Sequence, residues 1–340
     1  MVDKRLILAV AGSGKTKFLI DRLNLEERFI IITYTNTSTN LIKSRIVKKF
    51  GHHPRNIKAQ TYFEFLYGYC IKPFVLFKYR IKGIIWDPAP EFTRYYVDTD
   101  LNKYLSPGGY LYHNRIGKFV EFAGIVDDIK TRLEKFCDHF FFDEFQDLGG
   151  HDFNFIMQVA QAQINFLFVG DFFQNTYVTS FDLNVNNSLY SDLNDYCTKV
   201  TKGGIVIDTQ TLGNSYRCSP TICTFITNQL GIRINSNRID STEIIEINDK
   251  DIAASILRDN SIIKLVYDKS SERDYVAKNW GQCKGEDDYH DTCIILNKTT
   301  ANLYTKSKLL TLAPRTKNKL YVAFSRTRGN CYLINEELIK

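Results

Sequence analysis

Short apolar runs alternate with amphipathic stretches through the first half of the chain. This alternation is typical of parallel β-sheets whose strands are joined by helical crossovers. Gly51 follows a stretch of helical spacing and is a plausible C-cap for it. We predict, in chain order, strand Leu6–Val10, helix Lys15–Leu23, strand Phe29–Thr33, helix Thr37–Phe50, helix Ile116–Phe136, strand His139–Phe142, helix Phe153–Ala162 and strand Asn165–Val169.

The alternation is interrupted twice. Residues 73–114 contain prolines, glycines and many aromatic residues, which indicates a small insertion, and residues 183–204 form a polar connection. The pattern after the connection predicts strand Ile205–Asp208, helix Pro220–Leu230 and strands Ile262–Tyr267, Thr292–Leu296, Leu320–Ala323 and Asn330–Ile334. We therefore predict an α/β protein with a first domain at 1–182 and a second at 205–340.

Composition narrows the functional classes. The 340 residues carry a net charge of +6, which is compatible with a nucleic-acid partner without establishing one. Aromatic residues make up 14% of the chain, and exposed aromatic rings are stacking platforms for single strands. No apolar run is long enough to span a membrane, and the start of the chain does not resemble a signal peptide. The eight cysteines are scattered singly, which favours reduced thiols over a zinc site and predicts a cytoplasmic protein.

The segment Ala9–Thr16 reads AVAGSGKT and lies between a predicted strand and a predicted helix. It fits the phosphate-binding P-loop, with alanine in place of the first glycine. Gly12 and Gly14 let the backbone turn so that its N–H groups face phosphate oxygens, Lys15 would neutralise the β and γ phosphates, and Thr16 would ligate Mg²⁺. The residues that we expect to contact the nucleotide here are Ala11, Gly12, Ser13, Gly14, Lys15, Thr16 and Lys17.

Two further predicted strands end in polar residues. The apolar strand His139–Phe142 is followed by Asp143 and Glu144, so both carboxylates should lie at the carboxyl edge of a parallel sheet, where ligands bind. Asp143 would hold Mg²⁺, and Glu144 would polarise the attacking water. The next strand leads through Asp171 to Gln174, an amide suited to sensing the γ-phosphate.

The order of these segments resembles superfamily-one helicases of the UvrD/Rep type across nearly the whole chain. Motif V is the weakest match, because Gly281–Glu286 lacks the usual spacer. The segments similar to motifs I, Ia, Ib, II, III, IV and VI are Ala9–Thr16, Thr33–Asn36, Gln60–Phe63, Asp143–Asp147, Gly170–Gln174, Leu212–Arg217 and Leu320–Arg326.

The resemblance implies two RecA-like P-loop domains with an ATP cleft between them. It also implies that Arg217 and Arg326 reach the γ-phosphate, where a guanidinium stabilises charge on the transferring phosphoryl group. In the same family pattern Tyr216 stacks on the base and Glu286 contacts the ribose. The first predicted strand begins at Leu6, so we expect the glutamine motif that reads adenine to be absent.

For nucleic acid, the resemblance points to side chains in motifs Ia, Ib and III. They are Tyr34, Thr35, Asn36, Thr61, Tyr62 and Tyr177. Aromatic faces stack on bases, whereas hydroxyls and amides bind phosphates. Thr179 replaces an aromatic residue of the family, which weakens the expected base contact at that position.

Two functions remain open at this point. One is an ATP-dependent helicase or translocase that moves along single-stranded DNA, with the choice between DNA and RNA resting on the family. The other is an ATPase switch, gated by nucleic acid or a protein partner, in a larger complex without processive unwinding. The insertion at 73–114 and the stretch from Arg217 to Lys284 are too short for the accessory domains of the family, which favours the second function, and a protein partner would then replace those domains. A small-molecule P-loop kinase does not explain motifs IV and VI. No membrane partner is expected.

Overall fold

The structure is a computed structural model that describes residues 2–176, 185–286 and 289–340. Its backbone forms two compact units. One unit comprises Met1–Ile7, Thr16–Gly170 and Val178–Asp208, and the other comprises Leu8–Lys15, Asp171–Tyr177 and Thr209–Lys340. The division predicted at 1–182, 183–204 and 205–340, and the predicted cleft, stay predictions.

The first unit is a parallel α/β structure. Its strands are β1 (Lys4–Leu8), β2 (Phe29–Thr33), β3 (Ile57–Thr61), β4 (Gly83–Ile85), β5 (Tyr110–Tyr112), β6 (His139–Phe142), β7 (Asn165–Gly170) and β8 (Val206–Asp208). Six of them form a sheet of order β3–β2–β6–β7–β1–β8, while β4 and β5 pair separately within the segment predicted as an insertion. The pairings β1–β8, β2–β3, β2–β6 and β6–β7 are parallel, as the alternating sequence pattern predicts.

The helices of the first unit follow most of the predicted segments. They are α1 (Lys15–Asp21), α2 (Asn36–Phe50), α3 (Tyr62–Glu64), α4 (Ile116–Ala123), α5 (Val126–Phe136), α6 (Gly150–Val159) and α7 (Leu193–Lys202). Helix α2 ends at Gly51, whose φ of 78° confirms it as the C-cap. The single helix predicted over Ile116–Phe136 is wrong, because Gly124 has a φ of 70° and ends α4. Such a left-handed conformation favours glycine and does not continue a helix.

The second unit holds another parallel sheet. Its strands are β9 (Asn214–Ser215), β10 (Asn235–Ser236), β11 (Ile244–Ile247), β12 (Ile263–Val266), β13 (Ala277–Asn279), β14 (Thr292–Leu296) and β15 (Cys331–Asn335), and its helices are α8 (Pro220–Phe225), α9 (Lys250–Arg258), α10 (Lys298–Thr305) and α11 (Pro314–Phe324). The main sheet has the order β11–β15–β14–β12–β13, and β9 pairs with β10. A core cluster joins this sheet to α8 and α11.

Two sequence predictions about strands are corrected by the structure. The segment predicted to open the second domain, Ile205–Asp208, instead contributes β8, which pairs with β1 in the first sheet. A strand pattern does not specify the sheet that it joins. The predicted strand Leu320–Ala323 lies inside α11, because a run buried on all sides has no periodicity that separates a helix from a strand.

Within the described ranges, no helix combines the length and the apolar character that crossing a membrane requires. All eight cysteines are free thiols, and seven of them are buried.

Candidate functional site

Thr16 and Asp143, the two residues predicted to hold Mg²⁺, form a hydrogen bond in the first unit. Asp143 directly follows the buried strand β6, and its backbone N–H donates to the carbonyl of Ile32 in β2, so the ladder fixes its position. The Thr16 hydroxyl donates to Asp143 Oδ2 at 2.8 Å, and Asp143 is buried. Mg²⁺ prefers oxygen ligands and is held in proteins by one or two carboxylates together with substrate phosphates. The donor set of this pair therefore fits Mg²⁺.

Glu144 adopts an unusual backbone conformation beside this pair. Its φ is 56°, a left-handed value that is uncommon for residues other than glycine. Its carboxylate accepts a hydrogen bond of 2.5 Å from Gln146 Nε2. Gln146 is buried against Gly170, where an added Cβ would lie 2.6 Å from Gln146 Oε1. The amide of Gln146 thus orients the carboxylate that was predicted to polarise water.

The P-loop glycines lie in the second unit and serve different purposes. Gly12 has a φ of 71°, and a Cβ on it would lie 2.6 Å from Arg217 Cβ and 2.8 Å from Ser215 Oγ. Gly14 has a φ of 85°, and an added Cβ would meet nothing within 4 Å. Gly12 is therefore required for close packing against the motif IV segment, whereas Gly14 borders open space.

Hydrogen bonds tie the P-loop backbone to motifs III, IV and VI. The carbonyl of Gly12 accepts from the N–H of Tyr216 at 2.9 Å. The N–H of Ala11 donates to the Tyr321 hydroxyl at 2.9 Å, and that hydroxyl donates to Asp171 Oδ2 at 2.8 Å. Burial raises the pKa of Tyr321 well above its usual range, and the charge of Asp171 adds to this, so the hydroxyl keeps its proton.

The side-chain hydroxyl of Ser13 is a buried polar group of the P-loop. Its side-chain oxygen is buried and has no hydrogen-bond partner among the residues that the structure describes. A buried hydroxyl without a partner is costly, so this oxygen is suited to a bound group such as a phosphate.

The two predicted arginines are buried in the second unit, and each donates to a backbone carbonyl. Arg217 Nη1 donates to the carbonyl of Ser325 at 3.2 Å, and Arg326 Nη1 donates to the carbonyl of Glu286 at 2.9 Å. Because Arg217 also packs against Gly12, the structure brings motif IV next to the P-loop. Tyr216, predicted to stack on a base, is 68% exposed.

Glu286 was predicted to contact a ribose. Its carboxylate accepts hydrogen bonds from Lys278 Nζ at 2.5 Å and from the Tyr289 hydroxyl. Burial alone would raise the pKa of Glu286, but these hydrogen bonds outweigh it and the pKa is lowered. The carboxylate is therefore ionised and held in place, and its contact with a ribose stays a prediction.

The remaining residues that were predicted to contact the nucleotide or its phosphates differ in their exposure to solvent. Gln174 is buried, and its N–H donates to the carbonyl of Asp171 at 2.8 Å. Lys15 is buried as well. Lys17 is exposed and pairs with Asp21 at 2.5 Å, and its contact with the nucleotide stays a prediction.

The predicted nucleic-acid residues mostly lie where β2 and β3 end. Thr35 caps α2 by accepting from the N–H of Ser38, and the next residue, Asn36, is exposed. Thr61 forms a capping box with Glu64. Tyr34 is half-buried and stacks on Tyr62 with ring centroids 6.2 Å apart.

Tyr62 is a correction to this set. Its ring is completely buried, and its hydroxyl donates to Asp152 at 3.0 Å. We therefore assign it a packing role instead of the predicted stacking on a base. Tyr177 lies outside the described residues.

Sequence reasoning missed the contributions of Ser215, Tyr321 and Gln146. Ser215 Oγ accepts from the N–H groups of Arg217 and Cys218, at 3.2 and 3.0 Å, and so shapes the turn that carries Arg217. All three residues occur within the motif segments, which was the only signal available in the sequence.

A cavity of about 290 Å³ lies away from these residues, at the amino-terminal edge of the first sheet. It is lined by Asp3, Arg5, Arg22, His139 and Asn165, among others. None of the predicted site residues lines it, so it is not part of the candidate site.

Comparisons with known proteins identify a family and a similar fold. A family model described as an AAA domain matches residues 3–180, which is more than half of the chain. The arterivirus nonstructural protein 10 helicase, solved in complex with DNA, is 13% identical with a TM-score of 0.50, and the match covers 99% of this chain and 62% of that one. The PRRSV helicase is 13% identical with a TM-score of 0.47, covering 98% and 52%. The first similarity supports the fold alone, and this chain spans less than two thirds of either helicase. Comparison with curated proteins gave no match.

Proposed function

Because the chain belongs to the AAA domain family, we propose that it is an ATP hydrolase of the UvrD/Rep helicase type that moves along single-stranded DNA. The observation that carries the proposal is the hydrogen bond between Thr16 and Asp143, since it joins the P-loop to a buried carboxylate at the end of a parallel strand. P-loop hydrolases hold Mg²⁺ with these two side-chain types.

Each chemical role that ATP hydrolysis requires has a residue in the proposed site. Lys15 and the P-loop backbone bind the phosphates, and the buried hydroxyl of Ser13 gains a partner there. Glu144, oriented by Gln146, positions the attacking water and accepts its proton. Mg²⁺, when bound, would neutralise charge that develops on the β and γ phosphates.

Arg217 and Arg326 stabilise the transition state in this proposal. A guanidinium is always charged and matches the planar array of phosphoryl oxygens. Arg217 packs beside Gly12, and both arginines donate to backbone carbonyls that fix them in place. Gln174 is buried one turn after Asp171, and in this proposal its amide contacts the γ-phosphate and so senses whether that phosphate is present.

Single-stranded DNA as the track is supported by the family resemblance and by exposed polar residues after β2. The similar arterivirus helicase was solved with DNA. Asn36 is exposed and offers an amide group for phosphates, and Thr35 is exposed beside it.

Steady-state ATP hydrolysis by the purified chain tests the hydrolase assignment. Lys15→Ala should lower turnover to background, while Lys48→Ala, which removes an exposed lysine of α2, should not. Hydrolysis by Lys15→Ala near the wild-type rate would contradict the assignment.

A further inference from the structure

An aromatic cluster extends from the predicted nucleic-acid residues into the segment 73–114. Tyr34 contacts Phe63 with ring centroids 6.1 Å apart, and Phe63 contacts Trp86 edge-on at 5.0 Å. Trp86 also lies against His113, with centroids 5.8 Å apart. The cluster therefore joins the end of β2 to the small β4–β5 sheet, all within the first unit.

Trp86 is the exposed member of this cluster. Its side chain is 60% exposed, although large aromatic residues are normally buried for most of their surface. Its contacts with Phe63 and His113 restrict the orientation of the indole, although the residue remains largely exposed. A fixed, exposed indole is suited to stacking on a planar ligand.

The segment that carries Trp86 is both aromatic and basic. Between Lys72 and Lys118 the chain has eight Lys or Arg residues and four Asp or Glu residues. Lys103 and Lys118 are both paired with Asp98. The other exposed cations of the segment are Lys72, Lys78, Arg80, Lys82 and Arg94, and further exposed aromatic residues are Phe77, Phe92, Tyr95 and Tyr110.

We propose that a single-stranded nucleic acid crosses this surface with one base stacked on Trp86. The proposal rests on the proposed function and extends it to a segment outside the helicase motifs. Positive charge on the segment attracts the phosphates, and the indole supplies a stacking face that accepts any base. Apolar rings could also bind a protein partner, but an excess of positive charge is specifically suited to a polyanion. The charge of the segment therefore favours nucleic acid over a protein.

The two tryptophans of the chain make a direct test possible. Trp280 is completely buried in the second unit, and its indole N–H donates to the carbonyl of Leu265 at 3.1 Å. Trp86 is therefore the tryptophan whose emission a stacked base should change. Addition of oligo(dT) should quench the emission of the wild-type protein, and Trp86→Phe, which retains Trp280, should lose most of that quenching.

Affinity provides a second measurement. Trp86→Ala should weaken binding of oligo(dT) about tenfold to a hundredfold, because one stacked base is lost. Trp86→Phe should bind with intermediate affinity, since it keeps an aromatic ring.

Phe136→Ala is the matched control. It removes an exposed aromatic residue of the same unit at the end of α5, ahead of the amino-terminal end of β6, and it should bind oligo(dT) like wild type. Oligo(rU) in parallel tells whether the surface distinguishes RNA from DNA.

The outcomes separate this proposal from the proposed function. The stacking proposal alone would be overturned if DNA stimulates hydrolysis but Trp86→Ala binds oligo(dT) as tightly as wild type and oligo(dT) does not quench the emission of the wild-type protein. The surface around Trp86 would then be a candidate site for a protein partner. A wild-type protein that binds no oligonucleotide overturns both.

Discussion

The hydroxyl of Tyr321 donates to Asp171 Oδ2 at 2.8 Å, although 150 residues separate the two in sequence. The same hydroxyl accepts the N–H of Ala11 at 2.9 Å. One buried oxygen therefore joins the segments similar to motifs I, III and VI. Any movement of α11 that displaces Tyr321 would release a P-loop amide and a carboxylate together.

Tyr321→Phe tests how much these two hydrogen bonds contribute to the stability of the fold. The change keeps the ring but removes the partner that Ala11 and Asp171 share, so the free energy of unfolding should fall by about 1–3 kcal/mol. Urea unfolding with an unchanged m-value measures this. Tyr332→Phe is the control, because the Tyr332 hydroxyl makes no hydrogen bond among the described residues. Equal stability of Tyr321→Phe and wild type would contradict the prediction.

Asp143→Asn tests the proposed cation site. Asparagine keeps the shape of the side chain and can still accept from Thr16, but it lacks the charge that holds Mg²⁺. We expect turnover to fall about 100-fold or more and the Mg²⁺ requirement to rise. A Mg²⁺ titration of ATP hydrolysis, with Asp128→Asn on the exposed face of α5 as control, checks this. A normal Mg²⁺ dependence in Asp143→Asn would exclude the assignment.

Arg326→Ala separates binding from turnover. The guanidinium should act mainly in the transition state, so we expect about a 1,000-fold loss of turnover with nucleotide affinity largely retained. Arg326→Lys keeps the positive charge but not the planar, two-pronged hydrogen-bonding geometry of a guanidinium. Its turnover should therefore lie between those of Arg326→Ala and wild type. Binding of a fluorescent nucleotide analogue, measured beside turnover, distinguishes the roles. Loss of affinity with normal turnover at saturation would assign Arg326 to ground-state binding.

Arg28 and Asp138 make a pH-dependent contribution to stability. Hydrogen bonds from Arg28 lower the pKa of Asp138 from 3.8 to about 2, and both side chains remain more than a third exposed. Because the folded pKa is the lower one, the stabilisation is present above about pH 4 and is lost as the pH falls towards 2.

Asp138→Asn should therefore lower the free energy of unfolding at pH 7 by about 1 kcal/mol, a value discounted for solvent screening. Urea unfolding at pH 7, 5 and 3 should give the same gap between wild type and variant at the two higher values and a smaller gap at pH 3. A gap that does not shrink at pH 3 would mean that the charge of Asp138 is not its source.

The parts of the fold and site that the sequence predicted are those carried by local patterns. The strand His139–Phe142 and the carboxylate of Asp143 follow from an apolar run with a polar end, and the structure confirms that strand. The helix that ends at Gly51 follows from spacing and a glycine.

The sequence-based predictions were wrong where tertiary contacts determine the secondary structure or the role of a residue. Leu320–Ala323 lies in the part of α11 that is buried in the core of its unit, so no polar face reveals the helical period there. Tyr62 is part of a motif, yet burial against Tyr34 and Phe142 takes its ring away from solvent. The role of Tyr321 depends on two partners distant in sequence, so no local pattern predicts it.

The central claim is that ATP hydrolysis is coupled to single-stranded DNA, and its most direct test is turnover with and without oligo(dT) at about 50 and 200 mM salt. We predict strong stimulation by oligo(dT) that weakens at the higher salt concentration, because phosphate contacts depend on counterion release. Hydrolysis that is the same with and without DNA at both concentrations would contradict the claim and favour an ATPase switch gated by a protein partner.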